Sequence, residues 1–104
     1  MPEMEKQFIG YDKVNFKTNL KKEDILKIVE SFIHKKGKPY EINEETITYD
    51  KESLLTKEPV WHVEVISVET KKRFPDAYET LAISDREKRV VYLQNDHGRV
   101  AEIF

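Results

Sequence analysis

The chain reads as an α+β domain in which one main helix packs on an antiparallel sheet of three to five strands. Three observations carry that reading. Ile25, Ile28, Val29, Phe32 and Ile33 recur at helical spacing and make one apolar stripe. Val60-Trp61-His62-Val63-Glu64-Val65-Ile66 is a β-rich run. Tyr78 to Ser84 and Arg89 to Gln94 form a hairpin around Asp85-Arg86-Glu87-Lys88, and Arg99 to Phe104 closes the series.

The helix is expected over about residues 20 to 36. Thr18 or Asn19 can cap its start, with Glu23 and Asp24 near the positive end of the dipole and Lys35 and Lys36 near the negative end. Gly37 supplies a left-handed stop, and Pro39 prevents continuation. Tyr40 to Tyr49 alternates weakly around Asn43-Glu44-Glu45, as one bulged strand or as two short pieces around a turn. Residues 50–59 read as a loop with a helical turn at Leu54-Leu55, and Thr70 to Asp76 as a second polar loop.

Residues 1–104 form a single domain on this reading, with 1–19 packed on the unit that 20–104 builds. Phe8, Ile9, Tyr11, Val14 and Phe16 are too apolar for a free tail, and Val14-Asn15-Phe16 alternates as a short strand would.

Pairing arithmetic sets Ile83 against Val90, Leu81 against Tyr92 and Ala82 against Val91. Asn95-Asp96-His97-Gly98 carries the residues of a type I turn followed by a glycine bulge. That turn sets Leu93 near Ala101 and Val91 near Ile103. One face then holds Ala82, Val91, Leu93, Ala101 and Ile103, suited to the helix stripe. The other holds Leu81, Ile83, Val90, Tyr92 and Phe104 and is also apolar. The N-terminal segment or a partner must cover it, and the segment is the expected cover. If the face is open, Leu81, Ile83, Tyr92 and Phe104 are the candidate contacts for a protein partner or for a homodimer.

Composition excludes several function classes. Charged residues are 37% of the chain and basic and acidic ones are interleaved to a net charge of −2, so no nucleic-acid footprint is expected. Lys71-Lys72-Arg73 beside Phe74 and Tyr78 is a solvated loop run on this view. Lys35-Lys36-Gly37-Lys38 is accounted for by the helix end. The chain has no cysteine, and no apolar run in it fits a signal peptide or a membrane span. A cytoplasmic protein with no membrane association is expected. The isolated glycines Gly10, Gly37 and Gly98 make no phosphate loop, and no cofactor is expected.

Asp96-His97 is the most enzyme-like dipeptide, because a carboxylate can orient a proton-shuttling imidazole. The turn explains all four residues of Asn95-Asp96-His97-Gly98, whereas catalysis explains two. His62, Asp96 and His97 therefore form the alternative site of a small His/Asp-dependent hydrolase or metal-binding protein, without paired metal-ligand spacing. His62 is expected on the more exposed face of its strand beside Glu64, and Trp61 as a core anchor.

The helix, then Pro59-Val60-Trp61-His62-Val63-Glu64-Val65, then Tyr78 to Asp85 running into Arg89-Val90-Val91-Tyr92, resembles a PepSY-type module over about residues 20–94. That family pairs a helix with a strand bearing Trp-x-Val and a hairpin whose first strand ends in Asp. This chain lacks the usual Gly after Asp85 and has no export signal, although the family is largely exported or membrane-linked. The resemblance implies a small bacterial protein that binds or inhibits, peptidases above all, and it supplies no catalytic residues. The expected function is a non-enzymatic binding or regulatory module acting through its sheet surface. An immunity-type toxin inhibitor also fits the size and acidity.

Overall fold

In the computed structural model of the protein, described for residues 8–53 and 55–104, the apolar stripe forms α1 (Lys22–Lys36). Its start is not capped by Thr18 or Asn19. Lys21 holds the N-cap position, and the Asp24 carboxylate accepts its backbone N–H at 2.9 Å. Thr18 instead donates its hydroxyl to the Leu20 carbonyl, and the backbone N–H groups of Asn19 and Leu20 turn to Asp85. The other end is as expected: Gly37 lies at φ 73 and donates its N–H to the His34 carbonyl.

The strands are β1 (Phe8–Gly10), β2 (Tyr40–Asp50), β3 (Val60–Ser67), β4 (Glu79–Ser84), β5 (Arg89–Gln94) and β6 (Val100–Ile103). They form one antiparallel sheet in chain order, six strands rather than three to five. The additional strand is β1, which pairs with β2 through Ile9 and Tyr49. The short strand near the start is therefore Phe8–Gly10, and Val14 to Phe16 lies outside any strand. β2 is a single strand with a bulge between Asn43 and Thr48, where the Thr46 hydroxyl fills the ladder by accepting the Glu64 N–H at 3.0 Å.

The expected loop from Thr70 is largely a short helix, α2 (Val68–Arg73). Ser67 caps it by accepting the Thr70 N–H at 3.0 Å, a signal that Ser-x-x-Thr carries at short range. The helical turn expected at Leu54-Leu55 falls in part on Leu54, which lies outside the described residues, as do residues 1–7.

α1 covers the front of the sheet. The core there joins Leu20, Ile25 and Val29 to Ile47, Tyr49, Trp61, Val63, Val65, Leu81, Ile83, Val90 and Leu93, with Ile9, Tyr11 and Val14 packed against it. Trp61 is fully buried, its ring 4.9 Å from that of Tyr49 and 5.6 Å from that of Tyr11. It is the core anchor that its strand pattern suggested.

The hairpin register differs from simple pairing arithmetic. Ile83 faces Val90 as expected, but a bulge intervenes, so that Ala82 faces Tyr92 and Leu81 faces Leu93. A bulge shifts side-chain parity by one residue, which sends Leu93 to the front and Tyr92 to the back. A second shift in β6 sets Ile103 opposite Tyr92 and Glu102 opposite Leu93. The back face then carries Val60, Ala82, Val91 and Tyr92 as a separate cluster.

The helix thus packs on the Leu81, Ile83 and Val90 face rather than on the Ala82 and Val91 face expected for it. Ile9, Tyr11 and Val14 of the N-terminal segment pack on that same front core, while the loop after β2 covers the back. Ser53 is fully buried with its hydroxyl 2.9 Å from that of Tyr92, and Glu58 accepts the Ser84 hydroxyl at 2.7 Å. Ser53 also braces the loop itself, accepting the Lys57 N–H on its carbonyl at 2.8 Å and the Leu55 N–H on its hydroxyl at 3.2 Å.

Candidate functional site

The four side chains expected to share an open face do not share one. Leu81 and Ile83 are fully buried in the front core. Tyr92 lies on the back, 4% exposed, between Ser53 and His62. Phe104 alone is open, at 45%, and it leans forward onto α1 with its ring 5.4 Å from that of Phe32. The bulge between Ala82 and Ile83 and the cover from α1 are the reasons.

The His/Asp set is equally dispersed. His62 is buried rather than exposed, and its Nε2 lies 3.2 Å from the Tyr92 hydroxyl. Burial lowers its pKa, and the nearby Asp50 carboxylate opposes that shift without cancelling it. Asp96 and His97 sit in the exposed turn between β5 and β6, His97 Nε2 lying 3.8 Å from the Asp96 carboxylate. Asn95 organises that turn: its side chain accepts the N–H groups of His97 and Arg99, and its carbonyl accepts the Gly98 N–H at 3.0 Å. Gly98 lies at φ 79, where the glycine bulge requires it. His62 lies in mid-strand and His97 beyond the end of β5, so the two do not meet. Among the described residues no cluster of three His, Cys, Asp or Glu side chains is placed to hold a metal ion.

A different site emerges where α1 passes over the start of β5 and the end of β6. Ile28, Phe32, Val90 and Phe104 form the apolar floor of a groove of about 600 Å³, open to solvent. Lys35 and Lys36 line it from the last turn of the helix, Lys88 and Arg89 from the hairpin turn. Lys36 pairs with Glu102 at 3.2 Å and Arg89 with Glu87 at 2.7 Å, while the Arg89 guanidinium also donates to the Phe104 carbonyl at 3.2 Å. Around the edge, Leu55, Val91, Ile103 and Phe104 line a shallower depression on the back.

Sequence reasoning missed this site because each of its charges has a local explanation. Lys35-Lys36 suits a helix end, and Lys88-Arg89 suits a hairpin turn. Only the antiparallel return of β6 and the crossing of α1 bring the two pairs to one groove. Lys71, from the densest basic run, is held by Glu41 on β2 and lines no part of it.

No protein-family model matches the chain, and no curated protein or solved structure matches it. What the residues define is an α+β domain with one six-stranded antiparallel sheet. Among its described residues no helix is long and apolar enough to cross a membrane.

Proposed function

We propose that the protein is a small non-enzymatic binding module that engages a protein partner along the outer edge of β6 and the groove beside it. One observation carries this reading. Of the six large apolar side chains left exposed among the described residues, Leu55, Val100, Ile103 and Phe104 gather around that edge. An exposed apolar strand edge presents unpaired backbone groups as well as greasy surface, the combination that strand-adding partners use. The expected sheet-surface module is thus kept, with its contact moved from Leu81, Ile83 and Tyr92 to the edge strand.

The finer reading is a PepSY-like, cytoplasmic inhibitory or regulatory module. Its support is the order of the helix, the Trp61-His62-Val63 strand and the hairpin whose first strand runs into Asp85. Catalysis has weaker support, since His62 is walled in by Tyr92 and His97 projects from a turn.

The test compares the wild-type chain with Ile103→Lys, a change at a side chain 69% exposed that leaves the core untouched. Photo-crosslinkers placed at position 100 in both are used to capture proteins from the source cells, with melting curves recorded in parallel. Partners captured by the wild type and lost from an equally stable Ile103→Lys support the edge. Identical capture by both forms sinks it. A hydrolytic activity abolished by His97→Ala would establish the enzymatic rival.

A further inference from the structure

We infer that the partner segment is acidic and extended, adding to β6 as a further strand whose carboxylates meet Lys35, Lys36, Lys88 and Arg89. This rests on the reading of β6 as a docking edge and names the chemistry that edge selects. The backbone comes first. Phe104 donates its N–H inward to the Val91 carbonyl at 2.9 Å, so strand alternation turns the N–H and C=O of Ile103 outward. The register shift of β6 lies at its turn end, between Leu93 and Gln94, which leaves the stretch nearest the groove regular. On that stretch Glu102 and Phe104 face forward with α1, and Ile103 faces the back. An added strand would therefore present one row of side chains to the cationic groove and the other to Ile103 and Leu55.

Charge selects the partner. Four cations line the groove of a chain whose net charge is −2. Glu102 and Glu87 pair with Lys36 and Arg89, and the Phe104 backbone oxygen also accepts from Arg89. Lys35 and Lys88 have no carboxylate within 4.0 Å among the described residues. A second copy of β6 supplies a poor complement, because Arg99 to Phe104 carries one acidic side chain, Glu102, already paired with Lys36, and one basic side chain, Arg99. A small anion would leave the outward backbone groups of Ile103 unpaired, and the open groove would enclose little of it.

The backbone of Lys88 points the same way. It lies at φ 60, a left-handed conformation unfavourable for a residue with a Cβ, whereas the neighbouring hairpin turn places Gly98 at φ 79. The chain keeps an ammonium at the groove where glycine would relax the turn. Lys57 in the loop after β2 shares this conformation at φ 61 without lining the groove, so it is the place of Lys88 beside Lys35 and Arg89 that ties its backbone to a ligand.

The experiment is a titration of the full chain, followed by backbone amide resonances, with three blocked octapeptides that alternate valine with glutamate, lysine or serine. The glutamate peptide should move the amides of residues 100–104 and bind tightest, with an affinity that falls as salt rises. Lys88→Gly should raise the melting temperature yet weaken that peptide about two- to fivefold, the size of one exposed charge contact. Lys35→Glu should weaken it further and favour the lysine peptide. Equal binding of all three peptides, or tightest binding of the lysine one, overturns the acidic partner while leaving the docking edge standing. Absence of any shift in 100–104 up to about 1 mM peptide overturns the inference, and the edge itself is then decided by the Ile103→Lys capture. Unchanged binding in Lys88→Gly, or a dimer in sedimentation that Ile103→Lys dissolves, also overturns it, the latter in favour of a second copy.

Discussion

Trp61 donates its indole N–H to the carboxylate of Asp85 at 2.9 Å, and this buried bond ties the central strand to the hairpin corner and to the start of the helix. The same carboxylate accepts the backbone N–H groups of Leu20 and Asn19, each at 3.0 Å. One side chain, itself 6% exposed, thus satisfies three donors. Asp85 does for the chain entering α1 what a capping side chain would do locally, which is why Thr18 and Asn19 do not cap the helix.

Asp85→Ala should therefore cost about 3 kcal/mol or more, since it strands buried donors as well as losing charge-assisted bonds. Trp61→Ala should cost roughly 3–5 kcal/mol through lost burial and cavity formation. Urea denaturation of both variants checks this. A loss below about 1 kcal/mol for Asp85→Ala would show that water can replace the carboxylate there.

Acid should weaken the fold through His62. Its pKa in the folded chain is lowered below the ordinary 6.5, first by burial. The folded state therefore binds fewer protons than the unfolded one. The stability His62 confers is complete above 6.5 and is lost as pH falls from there through the folded value. Unfolding midpoints between pH 7 and 5 should fall for the wild type and fall less for His62→Gln, and parallel slopes would refute the assignment.

Tyr92→Phe removes the hydroxyl that meets both Ser53 and His62. The expected loss is about 1–2 kcal/mol. Its signature is local: amide exchange at Lys57 and Ser53, which close the loop after β2, should accelerate more than exchange in the front core. Uniform acceleration would mean that the loop and the core open together.

Lys88→Gly should stabilise the fold by about 0.5–1 kcal/mol by relieving the left-handed backbone, and Gly98→Ala should destabilise it by a similar amount. Opposite signs in thermal melts of the two variants are the check, because the two turns pose the same conformational demand with different residues.

Much of the architecture was legible in short-range pattern. The stripe from Ile25 to Ile33, the stop at Gly37, the strand around Trp61, the hairpin turn after Ser84 and the Asn95–Gly98 turn all follow from periodicity and turn chemistry, which act between near neighbours. The candidate site was not legible. Leu81, Ile83, Val90, Val91, Tyr92 and Leu93 leave both hairpin faces apolar, so no polar alternation marks which residue faces which way. One bulge then exchanges Tyr92 and Leu93 between the two faces and leaves both of them apolar.

The sequence by itself determined the helix, the strand runs and the turns, because propensity, capping and left-handed positions are local energies. Only the tertiary structure decided the rest. It set the loop holding Ser53 over the back face, gave Asp85 its three donors and brought Lys35 and Lys36 to the same groove as Lys88 and Arg89. Those relationships join residues tens of positions apart, and they exist only once burial of α1 against the sheet fixes the register.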